Sequence, residues 1–106
     1  MKQYKVQLTP RARASINKIV NDLRRFASPT YATKVRKEII STIKSLSTFP
    51  EAHQGFDELT DDDREYRRAL VLDYKVVFTV KDDVLEVVVV QVYQQNRGQE
   101  WIDENV

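Results

Sequence analysis

The side chains able to do chemistry in this chain are chiefly its charged ones, 17 Lys and Arg and 16 Asp and Glu, with five tyrosines beside them. There is one histidine, His53, and no cysteine. A thiolate nucleophile is therefore excluded, and a zinc site built on nitrogen and sulfur ligands is not expected. No cofactor is implied by any motif. The acidic run Asp61–Asp63 offers carboxylates of the kind that suit hard cations. It lacks the glycine and the distal glutamate of a calcium loop, so a solvated loop is the better reading. Lysine and arginine are distributed unevenly. Residues 1–50 hold eleven of them against Asp22 and Glu38, a net +9, whereas residues 51–106 hold six against fourteen acids, a net −8. A split of this kind predicts a polarised molecule with one basic face, suited to nucleic acid or an acidic protein. The plainer alternative is a pair of helices that carry Lys and Arg outward to water.

The elements that must position these groups can be read from periodicity. Tyr4, Val6 and Leu8 alternate with Lys5 and Gln7, the pattern of a half-buried strand. Thr9-Pro10 reads as an N-cap followed by proline at the first helical position. Ile16, Ile19, Val20 and Leu23 then recur at helical spacing, which predicts a helix from about Pro10 to Ala27. Ser28-Pro29 repeats the start signal. Ala32, Val35, Ile39, Ile43 and Leu46 form one stripe of a second helix, which Phe49-Pro50 is expected to end. So short a break predicts an antiparallel helical hairpin.

Residues 50–65 carry no periodicity and read as one long acidic loop. From Tyr66 onward the chain turns to strand. Arg68, Leu70 and Leu72 alternate with Arg67, Ala69 and Val71, and Tyr74, Val76, Phe78 and Val80 make a second run. Lys81-Asp82-Asp83 reads as a tight turn. Val84–Tyr93 is apolar on both faces from Val87 to Val90, which places it inside a sheet. The expected architecture is α+β in the order β-α-α-β-β-β: an N-terminal strand, an antiparallel helical hairpin, then a three-stranded antiparallel sheet under the hairpin. Sequence leaves open whether the first strand joins at the edge or beside the third strand. One domain is expected over residues 1–106, with a short polar tail from about 98 to 106. Tyr74 and Phe78 read as core by their strand period. Arg67 and Arg68 read as well as plain surface charges, covering the sheet edge or pairing with Asp61 to Glu65, as they do as functional groups.

This order of elements resembles the RelE/ParE toxin superfamily of type II toxin–antitoxin systems, the plasmid stabilisation proteins. So does the wording: YKVQLTPRA in the opening strand, SPTYA at the start of the second helix, SLSTFP at its end, then YRRALVLDYKVVFTVKDD and VVVVQVY. The resemblance runs from about residue 3 to residue 97. It implies a compact growth-inhibiting toxin with a cognate antitoxin as partner, the complex in some cases sitting on operator DNA. Its two branches differ in target. RelE-like members are mRNA interferases that cut ribosome-bound messenger, and ParE-like members act as gyrase inhibitors on DNA gyrase.

Metal-free RNA cleavage needs a proton acceptor, charge stabilisation on the phosphate and a proton donor to the leaving oxygen. Carried over by spacing from Tyr74, the RelE-like pattern puts basic positions at Arg68 and Lys75, with Arg97 near a third that falls on Gln95. A further basic position falls on Tyr66, and the terminal tyrosine falls on Trp101, whose indole has no useful acid at neutral pH. Tyr93 and His53 remain as substitutes. If the chain is a nuclease, its catalytic set is Arg68, Lys75, Arg97 and Tyr93. The weak acid–base set favours the ParE-like reading, gyrase inhibition by protein binding. A RelE-like ribosome-dependent endoribonuclease, or an inactive relative that only binds antitoxin, are the alternatives. The opening MKQYKVQLTP has no apolar signal-peptide core and no stretch is long enough to span a bilayer, so a cytoplasmic protein with no membrane partner is expected.

Overall fold

The computed structural model describes residues 3–48, 50 and 66–95. Strand β1 (Lys5–Leu8) leads into helix α1 (Pro10–Phe26) and helix α2 (Pro29–Ser45), followed by strands β2 (Tyr66–Val71), β3 (Tyr74–Lys81) and β4 (Glu86–Gln94). Both helices start as their Thr-Pro and Ser-Pro signals require. The Thr9 hydroxyl accepts from the Ala12 N–H at 3.1 Å and the Ser28 hydroxyl from the Tyr31 N–H at 3.1 Å. The side chain thus satisfies an amide that the first helical turn leaves unbonded.

α2 ends at Ser45, earlier than Phe49-Pro50 predicts. The amides of Leu46, Ser47 and Thr48 bond to carbonyls three residues back, which tightens the chain into a turn. The Ser47 carbonyl then accepts from the Tyr4 N–H at 2.8 Å, tying that turn to the start of β1. The last strand also starts later than expected. Asp82–Val84 is a single 3-10 turn and Leu85 takes a left-handed φ of 51°, so pairing begins at Glu86.

The four strands form one mixed sheet in the order β1-β4-β3-β2. β2, β3 and β4 are antiparallel neighbours, and β1 lies parallel to β4 at the edge, Lys5 to Leu8 opposite Glu86 to Val89. β4 is thus interior, as its apolar run predicts. The first strand extends the three-stranded sheet to four. Both helices lie on one sheet face: Ala12, Ile16 and Val20 of α1 and Ala32, Val35, Ile39 and Ile43 of α2 share a core with Ala69, Val71, Tyr74, Val76, Phe78, Val87, Val89 and Val92. Tyr74 and Phe78 are core residues, as their spacing requires.

Candidate functional site on the outer sheet face

Alternation sends successive strand residues to opposite faces. On β3, Val76 and Phe78 enter the main core, whereas Val77 joins a second cluster with Tyr93, Tyr66 and Val90. Lys75, Val77 and Thr79 therefore face away from the helices. On β2, Ala69 and Val71 face the core and Arg68 faces outward, directly across from Val77. On β4, Val87 and Val89 face the core.

The face of Tyr93 is set by an irregularity. Val77 pairs with Gln91 and Phe78 with Val89, so Val90 is an extra residue in β4. Such a bulge shifts the alternation by one. Beyond it Val92 faces the core and Tyr93 faces outward, opposite Lys75. Without Val90 the tyrosine would point under the helices. α1 is fastened at this same place. Thr9 donates its N–H to the Val89 carbonyl at 3.0 Å and its hydroxyl to the Val90 carbonyl at 3.2 Å. Six residues on, the Ser15 hydroxyl donates to Gln91 Oε1 at 2.8 Å.

Arg68, Lys75 and Tyr93 thus share one face, on three adjacent strands. The Lys75 ammonium stands 5.9 Å from the centroid of the Tyr93 ring, within reach of its negative face. The cluster is partly closed. Tyr93 is 2% exposed with its hydroxyl buried, Val77 is wholly buried, and Arg68 and Lys75 are half-buried, the Arg68 Nε fully so. The carboxylate on this face among the described residues, Glu86, lies at the opposite end beside Lys81 at 3.8 Å and accepts from the Gln7 amide at 2.9 Å. Lys75 and Lys81 are six residues apart on β3, about 20 Å. The half-buried cations of the arrangement can attract an anion. Among the described residues the arrangement brings no carboxylate up to Tyr93.

Of the expected set, Arg97 lies outside the described residues, as do His53, Trp101 and Asp61 to Glu65. Gln95, which takes a basic position of the RelE-like pattern, is a clamp. Its side-chain amide donates to the Leu72 carbonyl at 2.8 Å and the Tyr74 carbonyl at 3.3 Å, closing the end of the β2–β3 turn.

A second feature was not legible in the sequence. β1 ends opposite Val89, so among the described residues β4 beyond it has no strand on that side. There α1 and the end of β4 border a groove of about 450 Å³, lined by Asp22, Leu23, Phe26, Tyr74 and Gln94 among others. Phe26 is 78% exposed at its rim, with the Arg25 guanidinium 5.2 Å from its ring centroid. Burial, then Tyr31 and Asp73, raise the Tyr74 phenol above its ordinary pKa.

Residues 6–98 match the family model of the ParE toxin of the type II toxin–antitoxin system parDE. The chain belongs to this family. It is a toxin of the RelE/ParE superfamily, as the strand and helix wording suggests. Comparison with curated protein sequences gives no match. Among solved structures, the chain resembles the chromosomal ParDE toxin–antitoxin system of P. aeruginosa, with a TM-score of 0.71 at 17% identity over 87% of this chain and 96% of that one. It also resembles the archaeal RelE–RelB complex of Pyrococcus horikoshii, with 0.58 at 15% identity over 91% and 99%. The RelBE2 toxin–antitoxin complex of Mycobacterium tuberculosis gives 0.57 at 20% identity over 92% and 97%. At these identities the likeness is one of fold. Among the described residues no helix is long and apolar enough to cross a membrane.

Proposed function

We propose that this toxin acts in the ParE manner, inhibiting DNA gyrase by protein binding, and that a cognate antitoxin neutralises it. The observation that carries the reading is the closed centre of the outer sheet face. A proton donor must reach the leaving oxygen within about 3 Å. The buried Tyr93 hydroxyl, next to wholly buried Val77, is not offered to a substrate. Arg68 and Lys75 supply positive charge on this face but, with Tyr93 closed off, no complete acid–base pair among the described residues. The match to the ParE family model supports the same branch. The groove between α1 and β4 suits the antitoxin, since a strand edge beside an exposed aromatic can take an extended or helical segment that orders on binding.

One observation favours the second reading. Arg68, Lys75 and Tyr93 do converge on one face, so a RelE-like endoribonuclease would use these with Arg97. Induced expression in a bacterial host separates the two. Relaxed or broken plasmid DNA with intact messenger is expected. Codon-positioned messenger cuts with normal supercoiling, abolished by Arg68→Ala, would replace gyrase inhibition with RNA cleavage.

A further inference from the structure

Residues 10–45 hold nine Lys and Arg against Asp22 and Glu38, a net +7, while residues 66–95 hold four bases and four acids. All nine cations of the hairpin are exposed. Their positions are ordered. With Ala12, Ile16 and Val20 buried on α1, the helical repeat puts Arg11, Lys18 and Arg25 on the far side, in steps of seven residues or about 10 Å. On α2, Lys34, Lys37 and Lys44 fall opposite the buried Val35, Ile39 and Ile43. The buried sides of both helices enter one core, so the two rows share the side of the molecule that faces away from the sheet.

We propose that this outward face of the hairpin docks on duplex DNA without regard to sequence, through the backbone phosphates. Charge complementarity favours this. A duplex carries one negative charge per about 1.7 Å, and each lysine or arginine that meets a phosphate releases condensed counterions. The residues among the cations point the same way: Ala14, Asn17, Asn21, Thr33 and Ser41 are all exposed and small or neutral. A protein interface concentrates its energy in buried aromatic and aliphatic anchors, and these rows have none. A single-stranded nucleic acid wants aromatic stacking platforms, and the exposed Phe26 and Tyr31 lie at the hairpin tip, off the two rows. The surface is also rigid. Each helix has 17 residues, about 25 Å, and is fixed to the sheet along its length. The Lys18–Asp22 pair at 2.9 Å is no obstacle, because both side chains are exposed and such pairs are weak.

The surface operates whether or not gyrase is the target; if gyrase is, the hairpin would lie along the DNA that the enzyme holds. The test uses the purified full chain and a short mixed-sequence DNA duplex, with binding read by fluorescence anisotropy against salt. Single-stranded RNA of equal length and polyglutamate are the comparison probes. The duplex should bind tightest. The variant Lys34→Gln/Lys37→Gln/Lys44→Gln should flatten the slope of log K against log salt by about 2 to 3 and weaken binding at least tenfold, with its thermal melt unchanged. Lys81→Gln should not move the slope by more than about 1. Tighter binding of RNA or polyglutamate, or an unchanged slope in the triple variant, would overturn the proposal. So would a slope lost in Arg68→Gln/Lys75→Gln instead, which would place the phosphate contacts on the sheet. Gyrase is absent from this assay, so its result is independent of the supercoiling readout.

Discussion

On the outward face of the α1–α2 hairpin every Lys and Arg is exposed, and the residues between them are small or neutral. On the outer face of the sheet, Arg68 and Lys75 are half-buried around Val77 and Tyr93, which water hardly reaches. The hairpin face can change residues freely and works by summed charge. The sheet face is built like a small second core and works by fixed geometry. Such a molecule can use both: a solvated basic side for long-range attraction, and a rigid side for shape.

The largest expected difference follows from burial. Val77→Asp puts a carboxylate in the wholly buried centre of the outer face, and urea denaturation should show a loss of at least about 3 kcal/mol or no cooperative folding. Ser41→Asp, exposed on the hairpin between Lys37 and Lys44, should stay within about 0.5 kcal/mol of the parent. Similar costs at the two sites would show that the outer face is merely a solvated surface and erase the contrast.

A smaller effect probes the joint between helix and sheet. Thr9 caps α1 and also bonds the Val90 carbonyl at the bulge, whereas the hydroxyl of Ser28 caps α2 away from the sheet. Thr9→Ala should cost about 1–2 kcal/mol and Ser28→Ala about 0.5–1 kcal/mol. Equal losses would mean that the bulge does not depend on Thr9.

The smallest effect is a pH dependence. The Tyr74 phenol is raised above its unfolded value by burial first, then by Tyr31 and Asp73. The folded state therefore holds this proton more tightly. Its contribution is fully present below about pH 10, the unfolded tyrosine value, and is lost as pH rises from there through the folded pKa. Thermal melts of Tyr74→Phe should fall less steeply than the parent above about pH 10. Parallel curves would show that Tyr74 ionises as freely folded as unfolded.

Much of the fold was legible because local signals agreed with one another. Thr9-Pro10 and Ser28-Pro29 fixed both helix starts, and the alternation of Tyr74, Val76 and Phe78 fixed the core face of β3. The bulge was not legible. Val87 to Val90, Val92 and Tyr93 are all apolar, so a shift of phase leaves no trace in the pattern. For that reason the sequence could nominate Tyr93 but could not say which face it takes. The early end of α2 was hidden too, since it depends on Ser47 meeting Tyr4, a contact distant along the chain. Cationic positions were visible as residue types. That Arg68 and Lys75 meet on one sheet face while six other cations line the hairpin came only from register and helical phase.

The most direct measurement is supercoiling by purified gyrase in the presence of the purified toxin, with messenger on stalled ribosomes assayed in parallel. Concentration-dependent loss of supercoiling, relief by the cognate antitoxin, and intact messenger are expected. Full gyrase activity at saturating toxin together with cut messenger would contradict gyrase inhibition, and would make Arg68, Lys75 and Tyr93 a working nuclease centre.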